Sequence, residues 1–119
     1  MNLWVYAPLP YTSNGITFSA DREGGVHAHG TTNTWQWAIF QKTIELPAGR
    51  YSLARTIGGA SNLYAEAQRV DGSVSINMSG VGDTSVEADF PAGPVMLRIV
   101  VPPNAKLDGR IVPFLERVG

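Results

Sequence analysis

The chain has 119 residues, a length that predicts one domain spanning 1–119. Only 16 % of its residues are charged, and it carries 13 glycines and 8 prolines, which excludes a long helix or coiled coil because those need many charged helix formers and few breakers. With 44 % hydrophobic residues and a formal net charge of −1, disorder and a basic nucleic-acid footprint are excluded as well.

Cysteine and long apolar runs are both missing from the sequence. Without cysteine there is no disulfide framework and no thiolate metal site. No apolar run approaches the roughly 18 residues of a membrane span, and Met1-Asn2-Leu3-Trp4 lacks the basic start and apolar core of a signal peptide. The sequence therefore predicts no membrane partner and no signal peptide.

Short alternating segments between glycine, proline and asparagine turns predict strands. The predicted strands cover 16–20, 26–32, 35–46, 51–56, 63–70, 74–78, 86–90, 95–101 and 109–115. The second follows a turn over 21–25 whose two glycines supply positive φ. Eight or nine strands at spacings near ten residues predict an all-β fold, a single antiparallel β-sandwich of jelly-roll type.

Two of these strands admit an alternative. The segment 63–70 is rich in good helix formers, but Asp71-Gly72 follows it directly and is a strong hairpin signal, which favours a strand. Pro113 interrupts the last strand and predicts an edge position or a bulge, because proline cannot donate to a sheet ladder.

The sequence repeats one corner at a distance of 44 residues. Ile44 to Leu53 matches Ala88 to Leu97 in an acidic residue, a large apolar residue, Pro-Ala-Gly and a later leucine. Two corners of the same construction predict a sandwich of two related halves. The alternative is that Pro-Ala-Gly is simply a common tight turn.

Two histidines are the strongest candidates for chemistry. His27 and His29 stand two apart in a predicted strand and project from one face, as metal ligands can. No carboxylate or third histidine has an obvious spacing, so we expect ordinary surface or hydrogen-bonded histidines, with no metal and no cofactor. A Gly-x-Ser-x-Gly elbow is also missing. We expect a protein that is not an enzyme; a small hydrolase would need a pocket joining a histidine to a carboxylate.

Aromatic residues admit two interpretations, because flat rings either fill a core or stack on sugar rings. Trp35 and Trp37 alternate with Ile39 and are assigned to the core. The Pro-rich leader 1–12 is expected to pack on the sandwich, as an anchor or as a binding platform. If a sugar binds, the candidate residues with aromatic, amide or guanidinium groups are Tyr6, Tyr11, Asn33, Arg55, Asn62 and Tyr64.

Several motifs follow one another in a characteristic order. They are Asn14-Gly15-Ile16-Thr17-Phe18, Gly25 to Thr31, Leu46 to Leu53, Asn62-Leu63-Tyr64, a strand over 84–90 and the closing Pro113 to Gly119. This order resembles a module of tail-associated and minor structural proteins of bacteriophages and prophages, over essentially the whole chain. His27 and His29 depart from the module, which has small or β-branched residues there.

The resemblance implies a β-sandwich similar to carbohydrate-binding modules, located in the virion. It implies a non-enzymatic structural or attachment role in a phage or prophage particle, and host-surface carbohydrate is the candidate ligand for the attachment role. The alternative within that context is a homo-oligomeric assembly domain of a virion or tail protein with no sugar ligand. The partners implied are further copies of the chain, other virion proteins or a cell-surface glycan, and not nucleic acid.

Overall fold

A computed structural model describes residues 1–22, 24–60, 62–78 and 85–119, and the regular structure of these residues is entirely β-strand. The strands in the described part are β1 (Tyr11–Ser13), β2 (Ile16–Ala20), β3 (Val26–Thr31), β4 (Ala38–Leu46), β5 (Gly49–Gly58), β6 (Tyr64–Arg69), β7 (Ser75–Met78), β8 (Val86–Phe90), β9 (Gly93–Val101) and β10 (Lys106–Arg117). Glu23, in the predicted turn over 21–25, and Thr84, in the strand over 84–90, lie outside the described residues.

The strands form two antiparallel sheets that pack face to face. One sheet has the order β1-β2-β3-β10-β5-β8, and the other has the order β4-β9-β6-β7. Strands β3 to β10 thus build the two four-stranded layers of a jelly roll, and β1 and β2 widen the first layer. The predicted antiparallel jelly-roll sandwich is confirmed. Among the described residues the strand beyond those predicted is β1, which begins inside the expected leader.

Alternation along the strands explains why two layers form. Ile16 and Phe18 in β2 are fully buried, while Thr17 between them is partly exposed. In β9 the buried positions of the inner face are Val95, Leu97, Ile99 and Val101, and Val100, on the outer face, is buried as well, at 8 % exposure. Because successive side chains of a strand point to opposite faces, each sheet presents one apolar face, and the two faces bury each other.

Strand β6 resolves the competition between helix and strand. Ala65 and Ala67 are fully buried and alternate with half-buried Glu66 and Gln68. The strand pairs with β9 on one side and with β7 on the other. Helix propensities differ by at most roughly 0.7 kcal/mol per ordinary residue, so two ladders of hydrogen bonds and the burial of one face outweigh them.

The strand predicted over 35–46 begins only at Ala38, and this changes the position of its tryptophans. Trp35 is 86 % exposed and Trp37 is 48 % exposed, so their assignment to the core is wrong. Ala38 and Phe40 are the buried positions of β4. The alternation therefore places Ile39 on the outer face, and Trp37 lies on that side while Trp35 belongs to the preceding loop.

Strand β10 lies between β3 and β5, so the edge position expected from Pro113 is wrong for the strand as a whole. Pairing of β10 with β3 nevertheless ends at Ile111. Beyond it the leader takes the place of β3: Asn2 Nδ2 donates to the Pro113 carbonyl at 3.0 Å, and the Leu3 N–H donates to the Leu115 carbonyl at 2.7 Å. The missing N–H of proline therefore faces the leader and not a ladder.

The two Pro-Ala-Gly corners, 47–49 and 91–93, connect the sheets at equivalent places. The first joins β4 to β5 and the second joins β8 to β9. An arginine covers each corner: Arg117 ends β10, and Arg69 ends β6. A β-carbon on the corner glycine would lie 2.6 Å from Arg117 Nε in the first corner and 3.2 Å from Arg69 Nη1 in the second. Glycine thus lets each guanidinium approach the backbone.

The hydrogen bonds at the two corners also correspond. At the first corner Arg117 Nη2 donates to Ala48 O at 2.7 Å, and the Val118 N–H donates to Arg50 O at 2.8 Å. At the second corner Arg69 Nη1 donates to Pro91 O and Ala92 O at 2.7 Å each, and the Val70 N–H donates to Pro94 O at 3.1 Å. The acceptors Ala48 and Ala92, like Arg50 and Pro94, are 44 positions apart, the offset of the sequence repeat. These matched contacts support two related halves.

Arg69 and Arg117 differ in burial, so we expect their replacement to lower the free energy of unfolding by different amounts. Arg69, whose side chain is 13 % exposed, also bonds the Asp71 carboxylate at 3.0 and 3.3 Å. We expect Arg69→Met to lower the free energy of unfolding by about 1.5 kcal/mol, because two carbonyls lose a charged donor. The exposed Arg117 makes one such bond, so Arg117→Met is expected to cost less than about 1 kcal/mol. Urea denaturation of both variants measures the difference, and equal losses would contradict this account.

Candidate functional site

Tyr6 and Tyr11, two of the predicted binding residues, attach the leader to the sandwich. Their rings lie 6.4 and 5.6 Å from that of the buried Phe40. Tyr6 Oη also donates to the Gly24 carbonyl at 3.0 Å, and burial raises the pKa of this phenol. The anchor interpretation of the leader is thus the one that these contacts support.

Asn33 shapes the loop over 32–37, which connects β3 to β4. Its Oδ1 accepts the backbone N–H groups of Trp35 at 2.9 Å and Gln36 at 2.8 Å. Asn14 Nδ2 donates to the Gln36 carbonyl at 2.6 Å, and the Asn104 N–H donates to the Asn33 carbonyl at 2.6 Å. The backbone around Trp35 is therefore held from both sides.

The other three predicted residues lie elsewhere. Arg55 is half-buried in β5, opposite Pro113 of β10, and Asn62 is half-buried ahead of β6. Tyr64 is the first residue of β6 and lies on the outer face of the four-stranded sheet. The six residues do not form one cluster, although Asn33 holds the loop that carries Trp35 and Tyr64 lines a cleft beside Trp37. Ligand contact by these residues stays a prediction.

The outer face of the four-stranded sheet consists of rows of side chains set by strand register. The rows across β4, β9, β6 and β7 are Ile39-Val100-Tyr64, then Gln41-Arg98-Glu66-Asn77, then Thr43-Met96-Gln68-Ser75. The first row is apolar apart from the tyrosine hydroxyl, and the second is polar. We call this surface the outer four-strand face. It combines an apolar row with a neighbouring row of hydrogen-bonded polar side chains.

Arg98 organises the polar row. Its Nε donates to Gln41 Oε1 at 3.1 Å, and its Nη1 donates to Glu66 Oε1 at 3.2 Å. The side chains of Arg98 and Glu66 are only 24 % and 22 % exposed. Because the Arg98 and Glu66 charges compensate each other, this part of the surface is electrically neutral. A partner can therefore cover it without burying an unpaired ion.

Two adjoining clefts open on the outer four-strand face beside Trp37. The first, of about 190 Å³, is lined by Trp37, Tyr64, Glu66, Asn77 and Val100. In the second, of about 270 Å³, Ile39 and Arg98 replace Tyr64 and Asn77. A cavity of about 150 Å³ with apolar walls can hold benzene, so the first cleft has room for an aromatic side chain. Chemically, these clefts offer stacking surfaces next to a carboxylate and an amide.

Most of this site was missed by sequence reasoning. Of its lining residues, only Tyr64 is among the predicted binding residues, and the alternation with Ile39 wrongly predicts a core position for Trp37. The sequence signal for the site is the pair of tryptophans in Trp35-Gln36-Trp37, which stands just before the first buried position of β4. Glu66, Asn77 and Arg98 carry no sequence signal of their own, because strand pairing alone brings them into one row.

The histidines lie on the outer face of the other sheet. His27 Nε2 is 2.5 Å from Asp108 Oδ1, and the rings of His27 and His29 stack at 5.4 Å. The pairing of β3 with β10 supplies the carboxylate that sequence spacing did not reveal. Asp108 is 80 % exposed, and neither histidine lines the clefts described above. Within the described ranges no group of three or more His, Asp or Glu side chains is arranged to hold a metal ion.

Comparison with known proteins finds a similar fold in a solved structure. No family model and no curated protein matches the chain. A chain in the crystal structure of accessory secretory protein 1, 2 and 3 in Streptococcus pneumoniae is similar, with a TM-score of 0.59 over 88 % of this chain and 87 % of that chain, at 8 % sequence identity. Identity this low shows a common fold alone. The described part of the chain has no helix of the length and apolarity that a membrane crossing requires.

These findings correct the expected family. The similar structure belongs to accessory secretory proteins and not to a phage, so membership of a bacteriophage or prophage structural family is wrong, together with the virion location and the phage assembly or attachment role. Glycan and virion partners have no support from the comparison. The physical reason is that the motifs carrying the resemblance are mostly turns and strand ends, such as 46–53. Any jelly roll needs such turns, and they therefore identify a fold and not a family.

The hydrogen bond from His27 holds the pKa of the Asp108 carboxyl below its usual range, with a smaller contribution from the charge of His29. A lowered native pKa stabilises the fold above the carboxyl's ordinary pKa, and this contribution is lost as pH falls through the lowered value. Carboxyl ¹³C titration by NMR is expected to show a low midpoint for Asp108 that rises in His27→Ala, which has no side-chain donor. His29→Ala is the matched control with a smaller rise; equal rises would contradict the hydrogen bond as the main cause.

Proposed function

We propose that this β-sandwich is a non-enzymatic protein-interaction module that docks its partner with the end of the outer four-strand face that carries Trp35 and Trp37. The observation that carries the proposal is the 86 % exposure of Trp35 on a loop whose backbone is held by Asn33 and Asn14. An indole on a held loop stays in water and does not fold back onto its own domain. Such a side chain is a characteristic anchor of protein interfaces.

The surroundings of Trp35 extend the anchor into a surface. Trp37, 48 % exposed, adjoins the half-buried Ile39 and Tyr64 of the apolar row, and Val100 between them, 8 % exposed, lines both clefts. Tryptophan and tyrosine each bury on the order of 150–250 Å² when covered. A contiguous apolar strip bordered by polar side chains is typical of a docking surface, and a partner that covers it also shields the compensated pair of Arg98 and Glu66.

The edge of the same sheet is protected, which favours docking by the face. Strand β4 is an edge strand of nine residues. Lys42 falls on its inward-facing register, between the buried Phe40 and the half-buried Ile44, and is nevertheless exposed. A lysine at such a position opposes addition of a further strand, because pairing would bury its charge.

The structural comparison supports the proposal at the level of architecture. The similar fold occurs in a structure that holds accessory secretory proteins 1, 2 and 3 together. A jelly roll of this kind is therefore found alongside protein partners in at least one case. That the present chain also works through protein contacts is our proposal, which rests chiefly on its own exposed tryptophans.

Site-specific photocrosslinking tests the proposal. We expect p-benzoylphenylalanine at position 35, irradiated in cells that produce the protein natively, to give a discrete protein adduct identified by mass spectrometry. The matched control carries the same group at Phe114, an exposed aromatic of the other sheet, 39 % exposed, and is expected to give none. Absence of an adduct from position 35, or the same adducts from both positions, would contradict docking by this face.

A further inference from the structure

We infer that the partner of the outer four-strand face is a second copy of this chain, with Trp35 of each copy seated in the cleft of the other. The inference rests on the proposed function and adds to it the identity of the partner. It also makes each binding site composite, because the cleft beside Trp37 receives a residue that only the second copy supplies.

The chain carries both halves of a complementary contact. Trp35 projects from the 32–37 loop with 86 % of its surface exposed. Trp37, Val100 and Tyr64 line a cleft of about 190 Å³ that its own Trp35 does not line. By the benzene standard of about 150 Å³, this cleft has room for the six-membered ring of an indole. The indole N–H of an incoming tryptophan would meet the Glu66 carboxylate or the Asn77 amide oxygen, which also line the cleft.

Trp35 and the cleft are also neighbours in the chain. Trp35 stands two residues before Trp37, which forms a wall of the cleft. A projecting side chain and a cleft that adjoin on one surface can be exchanged reciprocally across a two-fold axis running between them. Both contacts then form in one closed dimer. A projection and a cleft on opposite sides of the molecule would instead produce an open chain.

The charges near the cleft also permit self-association. A self-association face must not repel its own copy. Beside the cleft the outer four-strand face contributes Arg98 and Glu66, already joined at 3.2 Å, whereas the exposed Glu45 of the same face lies at the far end of β4 from Ile39; the whole chain has a formal net charge of only −1. Two such faces meet without like-charge repulsion, and covering them leaves both ions paired.

Sedimentation velocity of the full chain from about 1 µM to about 1 mM tests the inference, a range suited to a small interface. The mass is expected to rise from 12.8 kDa to twice that value. Tryptophan emission should shift to the blue over the same range, because Trp35 becomes covered while Trp4 is already buried. Trp35→Ala is expected to weaken association at least about thirtyfold, as for an interface anchor, and Phe114→Ala is the matched control that leaves it unchanged.

A second variant tests the cleft separately from the projecting side chain. Asn77→Arg places a long side chain over the cleft from an exposed position of β7, so folding is expected to be retained, as circular dichroism can verify. Alone, each of Trp35→Ala and Asn77→Arg should be largely monomeric. Mixed, they should form a heterodimer of intermediate affinity, because one of the two reciprocal contacts is restored.

Three results would overturn the inference: a wild-type chain that stays monomeric at 1 mM, association that persists in Trp35→Ala, or growth beyond a dimer. The crosslinking experiment separates this failure from failure of the proposed function. An adduct of about 26 kDa, twice 12.8 kDa, that contains only this chain supports both. An adduct with a different protein, together with a monomeric chain, overturns self-association and leaves the interaction module standing.

Discussion

A jelly roll leads its chain repeatedly from one sheet to the other, and each crossing removes peptide groups from the hydrogen-bond ladders. At the corners 47–49 and 91–93, Arg117 and Arg69 donate hydrogen bonds to backbone carbonyls that lie outside the ladders. The second corner matters most for the candidate site. Arg69 and the Val70 N–H tie the end of β6 to the start of β9, and this sets the register that aligns Glu66 with Arg98 and Tyr64 with Val100. The clefts exist because that register is maintained.

The two outer faces of the sandwich differ in character although the same alternation produces both. On the six-stranded sheet the exposed row includes His27, His29 and Asp108, a hydrogen-bonded group open to water. On the four-stranded sheet the charges of Arg98 and Glu66 are mostly covered, and apolar residues adjoin them. A polar, hydrated face loses much solvation when a partner covers it, whereas a compensated face beside an apolar strip loses little. This contrast is why protein docking is assigned to the smaller sheet.

Turn residues and alternation predicted most of the strands. They include the segment 63–70, whose composition also suits a helix. The prediction failed where a strand begins. Trp35 and Trp37 alternate correctly with Ile39, but alternation gives two faces without saying which one is inside. Burial of Ala38 and Phe40 decides that question. A small alanine gives a weak signal beside two tryptophans, so the pattern points to the heavier residues as the core. The same error concealed the candidate site.

The spacing of breakers, the alternation of side chains and the repeated Pro-Ala-Gly corner already specify an antiparallel sandwich, because these are local properties of the chain. Contacts between distant residues followed only from the tertiary structure. Asp108 meets His27 across 81 positions, Arg98 meets Glu66 across 32, and the leader meets Pro113 across 111. Strand order and register bring these groups together, and neither can be inferred from the composition of one strand, since any antiparallel neighbour with the same alternation would bury the same face.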